Sequence, residues 1–294
     1  MVEKTHDRLL CMMTGLLIAL APILHGGAGP VPQGVVSGLI LSALFSSTLY
    51  RIIAGYPAAG PRRDLTFERY GAGLAVIVVV SGVFSIYRYA SFQAAMLLGS
   101  YVALYYLILY GFSRSLRRFL VNALIIVAAI LSAYGLLQYF GLFSHPWWDP
   151  ADHLASTYVN HNHFAGFLEM AIPVTVGTLI RYRNRRPWIV LLTAESLILM
   201  IVAFVFSQSR GGWLSLTAAL LFMGGVLFLH GGVARKAAVI FGGVIFMLFA
   251  ALYVQSGAIA DRMAAFNDIR DGEPSTEIRK MIWEGAYDMI ADNW

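Results

Sequence analysis

The sequence predicts an all-α fold: a polytopic transmembrane helical bundle of about nine spanning helices, plus an amphipathic helix on the outer side. Three observations carry this. Of the 294 residues, 59% are hydrophobic and 13% are charged, whereas a soluble domain carries about 25% charged residues. The apolar residues fall in nearly uncharged blocks rather than in alternation, each roughly long enough to cross a ~30 Å hydrocarbon core as a helix. Basic residues cluster between the blocks, mostly on alternate connections. One or two such helices can be buried inside a soluble protein, but a whole series cannot.

Taken in order, the expected spans are Leu9–Leu24, Val35–Ile53, Gly71–Tyr87, Ala94–Phe112, Phe119–Phe140, His163–Ile180, Trp188–Phe206, Gly211–Leu229 and Ala237–Val254. They follow one another too closely for a soluble domain to fit between them. Residues 1–254 therefore read as a transmembrane domain, and 255–294 as the start of a loop on the outer side. The first span imitates a signal peptide, with Lys4 and Arg8 ahead of an apolar run and Ala19-Leu20-Ala21 resembling a cleavage site. Pro22 would follow the cut, where proline blocks cleavage, so the segment reads as a retained helix. The single cysteine, Cys11, lies in this span, which excludes an intrachain disulfide and a cysteine-based metal site. The net charge of +5 sits in short clusters, not in a phosphate-tracking stripe, so no nucleic-acid partner is expected.

Lys and Arg placement sets the orientation. With a cytoplasmic N-terminus the inner side holds Lys4, Arg8, Arg51, Arg62, Arg63, Arg69, Arg114, Arg117, Arg118, Arg181, Arg183, Arg185, Arg186, Arg235 and Lys236. The outer side holds Arg88, Arg210, Arg262, Arg270, Arg279 and Lys280, six of the 21 basic residues. Two outer segments are long. Gly141–Asn162 has no Lys or Arg but carries Trp147, Trp148 and several histidines, a composition suited to the headgroup region. Gln255–Trp294 is the extended polar stretch. In it Pro274-Ser275 looks like a helix start, after which Ile278, Met281, Ile282, Ala286, Met289 and Ile290 share one face, and Lys280, Glu284 and Asp288 another. That helix is expected to lie on the outer interface or to cap the bundle.

In this orientation the even-numbered helices begin at the outer face, and helix N-termini favour anions. Two of these starts are unusual. Ser156-Thr157-Tyr158-Val159-Asn160-His161-Asn162-His163-Phe164-Ala165-Gly166 offers asparagine and serine caps, and Asn162, Gly166, Glu169 and Pro173 share a face of the helix that follows. Glu169 lies under two turns from the outer end, where an ionisable residue is costly unless paired or wetted. A functional site and a plain packing seam both fit this segment. His161 and His163 at i, i+2 diverge on a helix, which disfavours a zinc pair. Phe206-Ser207-Gln208-Ser209-Arg210-Gly211-Gly212-Trp213 places an arginine beside a helix start whose dipole repels it by tenths of a kcal/mol or more. An anion bridging arginine and helix start accounts for that placement; snorkelling to lipid phosphates is the alternative. For Arg88, after the third span, snorkelling is the simpler reading. Glu195 lies inside the seventh span and needs a partner. There is no P-loop, GxSxG, HExxH or DxD pair, so nucleotide-dependent chemistry and a bound metal or cofactor are not expected.

Together, Thr157–Gly166 with Glu169 and Pro173, then Ser207–Trp213, then Arg279 with Trp283 and Ala286, resemble the O-antigen ligase and O-antigen polymerase family, in its order. The resemblance covers the second half of the chain. It implies glycan transfer from a polyprenyl-pyrophosphate carrier to a lipid A core, a growing glycan or a protein, at the outer face of a bacterial inner membrane, by an inverting reaction without nucleotide sugar or metal. On that reading Arg210, with Arg279, Arg88, Asn160, Asn162 and Ser209, would hold the lipid-linked substrate. Arginine suits pyrophosphate because its planar fork binds phosphate oxygens bidentately and stays charged. His161, His163 and Glu169 are in-chain catalytic candidates, first as orienting residues, since the family places its key histidine further along the outer loop than Trp294. The chain is accordingly expected to be a fragment, inactive alone. The rival is a secondary transporter or flippase for a lipid-linked or anionic solute, with Glu169 and Glu195 as coupling groups. A non-catalytic membrane subunit is a third reading.

Overall fold

The computed structural model describes residues 2–27, 29–55, 65–143, 153–182, 187–230, 242 and 274–292. The chain forms two compact units, Met1–Met223 and Gly224–Trp294. Regular structure among the described residues is entirely helical: α1 Val2–Ile23, α2 Pro30–Ile53, α3 Leu65–Val83, α4 Arg88–Tyr106, α5 Arg114–Tyr139, α6 His161–Tyr182, α7 Pro187–Ser207, α8 Arg210–His230 and α9 Pro274–Asp292. Six helices are long and apolar enough to cross a membrane: α2, α4 as far as Leu109, and α5 to α8. α1 and α3 carry shorter apolar stretches, Leu9–Ile23 and Gly73–Val83. The chain is a multi-pass helical membrane protein. Apart from Gly242, the expected ninth span, Ala237–Val254, lies outside the described residues, as do Trp147 and Trp148.

Local chemistry explains several helix ends. Prolines occupy the first turn of α2, where a missing N–H costs nothing. Ser113 caps α5 by accepting from the Leu116 amide at 3.2 Å. The third and fourth spans depart from expectation. α3 stops at Val83 rather than Tyr87, and α4 begins at Arg88, ahead of Ala94. Ser85 is the cause: its hydroxyl accepts from the Tyr87 amide at 3.2 Å and from the Ser91 hydroxyl at 2.6 Å, drawing the chain out of the helix. α4 then ends not as an α-helix but in a π turn, Leu107–Gly111.

In the first unit α7 packs against both α5 and α6; α5 also packs on α1, α1 on α2, and α2 and α3 on α4. α6 is the most enclosed, with Phe164, Ala165, Leu168, Ala171 and Ile172 all inaccessible. At one end of the bundle Leu10, Ala43, Leu107, Phe112 and Leu116 form a buried cluster from α1, α2, the π turn and α5. There His6 stacks on Tyr50, ring centroids 4.0 Å apart. The opposite end gathers the close of α1, α5 and α7 with the start of α6 and α8, the alternation that successive spans require. In the second unit α9 begins at Pro274, as its sequence predicts, and pairs Lys280 with Glu284 at 3.8 Å on its polar face. Met281, Ile282, Met289 and Ile290 are exposed on the other.

Candidate functional site

Residues 153–160, which carry no regular secondary structure, are tied to three helices. The Leu154 amide donates to the Phe206 carbonyl of α7 at 3.1 Å. The Ser156 hydroxyl donates to Leu131 O of α5 at 2.7 Å, and the Thr157 hydroxyl to Pro22 O of α1 at 2.9 Å. Tyr158 is buried with its ring against Gly26, whose φ of 69° and absent side chain both allow that contact. Burial pushes the Tyr158 phenol far above its ordinary value, so it stays neutral.

This base presents the start of α6. Asn160 caps it, its side-chain oxygen accepting from the Asn162 amide at 2.8 Å and its carbonyl from the His163 amide at 3.0 Å. Ser209 caps α8: its hydroxyl accepts from the Gly212 amide at 3.2 Å, and its carbonyl from the Trp213 amide at 3.1 Å. The same hydroxyl donates to the Asn162 side-chain oxygen at 2.7 Å, across 47 residues of chain. The two caps are thus one hydrogen-bonded unit.

Below them α6 and α8 meet at Gly212. A Cβ there would stand 3.0 Å from Glu169 Oε1, 3.1 Å from Ser209 Oγ and 3.2 Å from Ala165 Cβ. Glu169, half-buried, is hydrogen-bonded by the Ser215 hydroxyl one turn along α8. Among the described residues, Ser156 (φ 54°) and Gln208 (φ 52°) are the non-glycine residues with positive φ, one in each motif. Such left-handed geometry costs about 1–2 kcal/mol for a residue with a Cβ.

Of the residues singled out in the sequence, Asn160, Asn162, Ser209 and Glu169 converge here, and Arg210 is the first residue of α8. The side chains of Arg210 and Arg279 lie outside those described; Arg279 belongs to α9 of the second unit. His161 stacks on His153, centroids 4.5 Å apart, while His163 is exposed. Arg88 opens α4 and is exposed, and none of the site contacts above involves it. Glu195 is also exposed. No group of three metal-ligating side chains occurs among the described residues. Sequence reasoning missed Ser215 and the His153 partner. Ser215 was readable as i+3 from Gly212, but a histidine across an irregular segment gives no periodic signal.

Comparison with known families places residues 196–294 in a match to the family described as O-antigen ligase. No curated protein and no solved structure matches the chain. The matched segment runs from α7 through α8 to α9. The Asn160–Glu169 stretch lies outside it in sequence and reaches it through the Asn162–Ser209 hydrogen bond.

Proposed function

Taking residues 196–294 as an O-antigen ligase domain within a multi-pass membrane bundle, we propose that the protein transfers a glycan from a polyprenyl-pyrophosphate carrier to an acceptor at the periplasmic face of a bacterial inner membrane. The acceptor is a lipid A core, a growing glycan or a protein. One observation supports this above the rest: the Ser209–Asn162 contact at 2.7 Å joins the asparagine–histidine motif to the start of the helix that Arg210 opens.

In the proposed reaction the acceptor hydroxyl oxygen attacks the anomeric carbon opposite the leaving group. The bond from that carbon to the pyrophosphate oxygen breaks, and the electron pair leaves with the polyprenyl pyrophosphate. The hydroxyl proton passes to a base. Negative charge grows on the pyrophosphate, so fixed positive charge is needed there. Arg210 supplies it together with the partial positive charge of the α6 and α8 starts, and Arg279 is a second guanidinium candidate. His161, His163 and Glu169 orient the acceptor; Arg88 holds lipid phosphates. No cofactor takes part. With the site at the periplasmic face, α1, which closes beside it, starts in the cytoplasm, and residues 1–254 serve as the membrane domain that carries the outer loop.

Membrane vesicles containing the protein, a polyprenyl-pyrophosphate-linked glycan and an acceptor test this reading. The expected outcome is covalently joined glycan. Movement of the lipid-linked or anionic solute across the vesicle membrane without joining would establish the transporter instead.

A further inference from the structure

Asn162 and Ser209 stand among the expected substrate-binding residues, yet each already has a partner in the protein. The Asn162 side-chain oxygen accepts from the Ser209 hydroxyl at 2.7 Å. The lone pair of that hydroxyl takes the Gly212 amide at 3.2 Å. Ser209 is buried, with 3% of its surface accessible. It directly precedes Arg210 and follows the left-handed Gln208, so the backbone on both sides has little freedom. The Trp213 amide closes on the Ser209 carbonyl at 3.1 Å, and Trp213 packs edge-on to Phe204 of α7, centroids 5.5 Å apart. On the other side Asn162 is fixed by the Asn160 cap at 2.8 Å.

From this geometry we infer that Asn162 and Ser209 are a coupled positioning pair that fixes the first residue of α8 relative to α6, and that they act on glycan transfer through Arg210 rather than by touching substrate. The inference rests on the proposed glycan transfer and assigns these two residues a different part in it. A hydrogen bond made between two helix starts transmits a displacement of one to the other, and transfer chemistry tolerates only fractions of an ångström at the reacting groups. Two residues acting as one unit give non-additive effects on mutation, whereas two independent substrate contacts add.

The test measures glycan transfer by the full-length protein in membranes at matched abundance, with kcat and KM for the polyprenyl-pyrophosphate-linked glycan taken separately. Four variants are compared: Ser209→Ala, Asn162→Ala, the double variant, and Ser209→Thr, which keeps the hydroxyl. Ser209→Ala and Asn162→Ala are each expected to lower kcat about tenfold or more, with KM within about threefold. The double variant falls no further than the worse single one, and Ser209→Thr regains most of the lost rate. Apparent melting temperature in detergent accompanies each variant, and a variant that melts with the wild type yet loses kcat separates positioning from folding. A rise in KM at unchanged kcat would mean the side chains touch substrate, and additive losses would mean they act independently; either overturns the inference while glycan transfer stands. An inactive wild type overturns the functional reading and the role of the pair in it together.

Discussion

The adjacent glycines at the start of α8 make opposite predictions. A Cβ on Gly211 meets nothing within 4 Å, while one on Gly212 would stand 3.0 Å from Glu169 Oε1, 3.1 Å from Ser209 Oγ and 3.2 Å from Ala165 Cβ. Each of those three neighbours must retreat by a few tenths of an ångström. Two of them do not retreat cheaply, since Ala165 is backbone-anchored and inaccessible and Ser209 is bonded to Asn162, whereas the Glu169 carboxylate ends a flexible, half-buried side chain and can swing aside. Overpacking of this kind costs roughly 1–3 kcal/mol, against a gain of up to ~1 kcal/mol from replacing glycine by alanine in a helix. Gly211→Ala keeps only the gain and is expected to be neutral or stabilised by about 0.5–1 kcal/mol. Gly212→Ala is expected to lose up to about 2 kcal/mol net, an apparent melting temperature lower by as much as roughly 8 °C in a protein of this size and below that of Gly211→Ala. Thermal unfolding of both variants in one detergent, beside glycan transfer in membranes, reads the difference. Equal melting temperatures and equal activities would refute the claim that α6 and α8 touch at Gly212.

Three further outcomes are expected. Gln208→Gly relieves the positive-φ cost of about 1–2 kcal/mol less the entropy of glycine, so it melts no lower than wild type and keeps its activity, whereas Gln208→Val, β-branched at φ 52°, melts lower and loses transfer. After Cys11→Ser, the variants Arg62→Cys, Arg117→Cys, Arg183→Cys and Arg235→Cys should resist an impermeant thiol reagent in intact spheroplasts, while His153→Cys and Arg210→Cys react; labelling at position 183 from outside would reverse the orientation. Arg88→Lys should transfer glycan within about threefold of wild type, because either cation reaches lipid phosphates; a tenfold loss would bring Arg88 into the substrate site.

How much was legible follows from the kind of signal each feature leaves. α2 and α5 to α8 were readable because hydrophobic length is the constraint the bilayer imposes; their C-terminal ends fall within two residues of those expected, while α2 and α5 each begin five residues earlier. The α3–α4 corner was not: a serine bonding to its own neighbours competes with the helix without altering hydropathy. The π turn at Leu107–Gly111 likewise leaves hydropathy unchanged. At the site, the cap roles of Asn160 and Ser209 were legible from residue type, and the shared face of Asn162 and Glu169 from helical spacing. Their meeting with α8 was not, since a hydrogen bond across 47 residues, like that of Thr157 to Pro22 across 135, depends on tertiary packing. The left-handed Ser156 and Gln208 were hidden for another reason. Positive φ is signalled by glycine or asparagine, and here neither residue is one.

The central proposal is that Arg210, the first residue of α8, receives the pyrophosphate of a lipid-linked glycan, and Arg210→Lys tests it most directly. Lysine keeps the positive charge but not the planar fork that binds two phosphate oxygens at once. The measurement is glycan transfer by the full-length protein in membranes, at matched abundance, with wild type alongside. The account predicts that Arg210→Lys is inserted normally and loses most of its transfer activity, about tenfold or more. Full activity in Arg210→Lys would contradict pyrophosphate clamping by this residue.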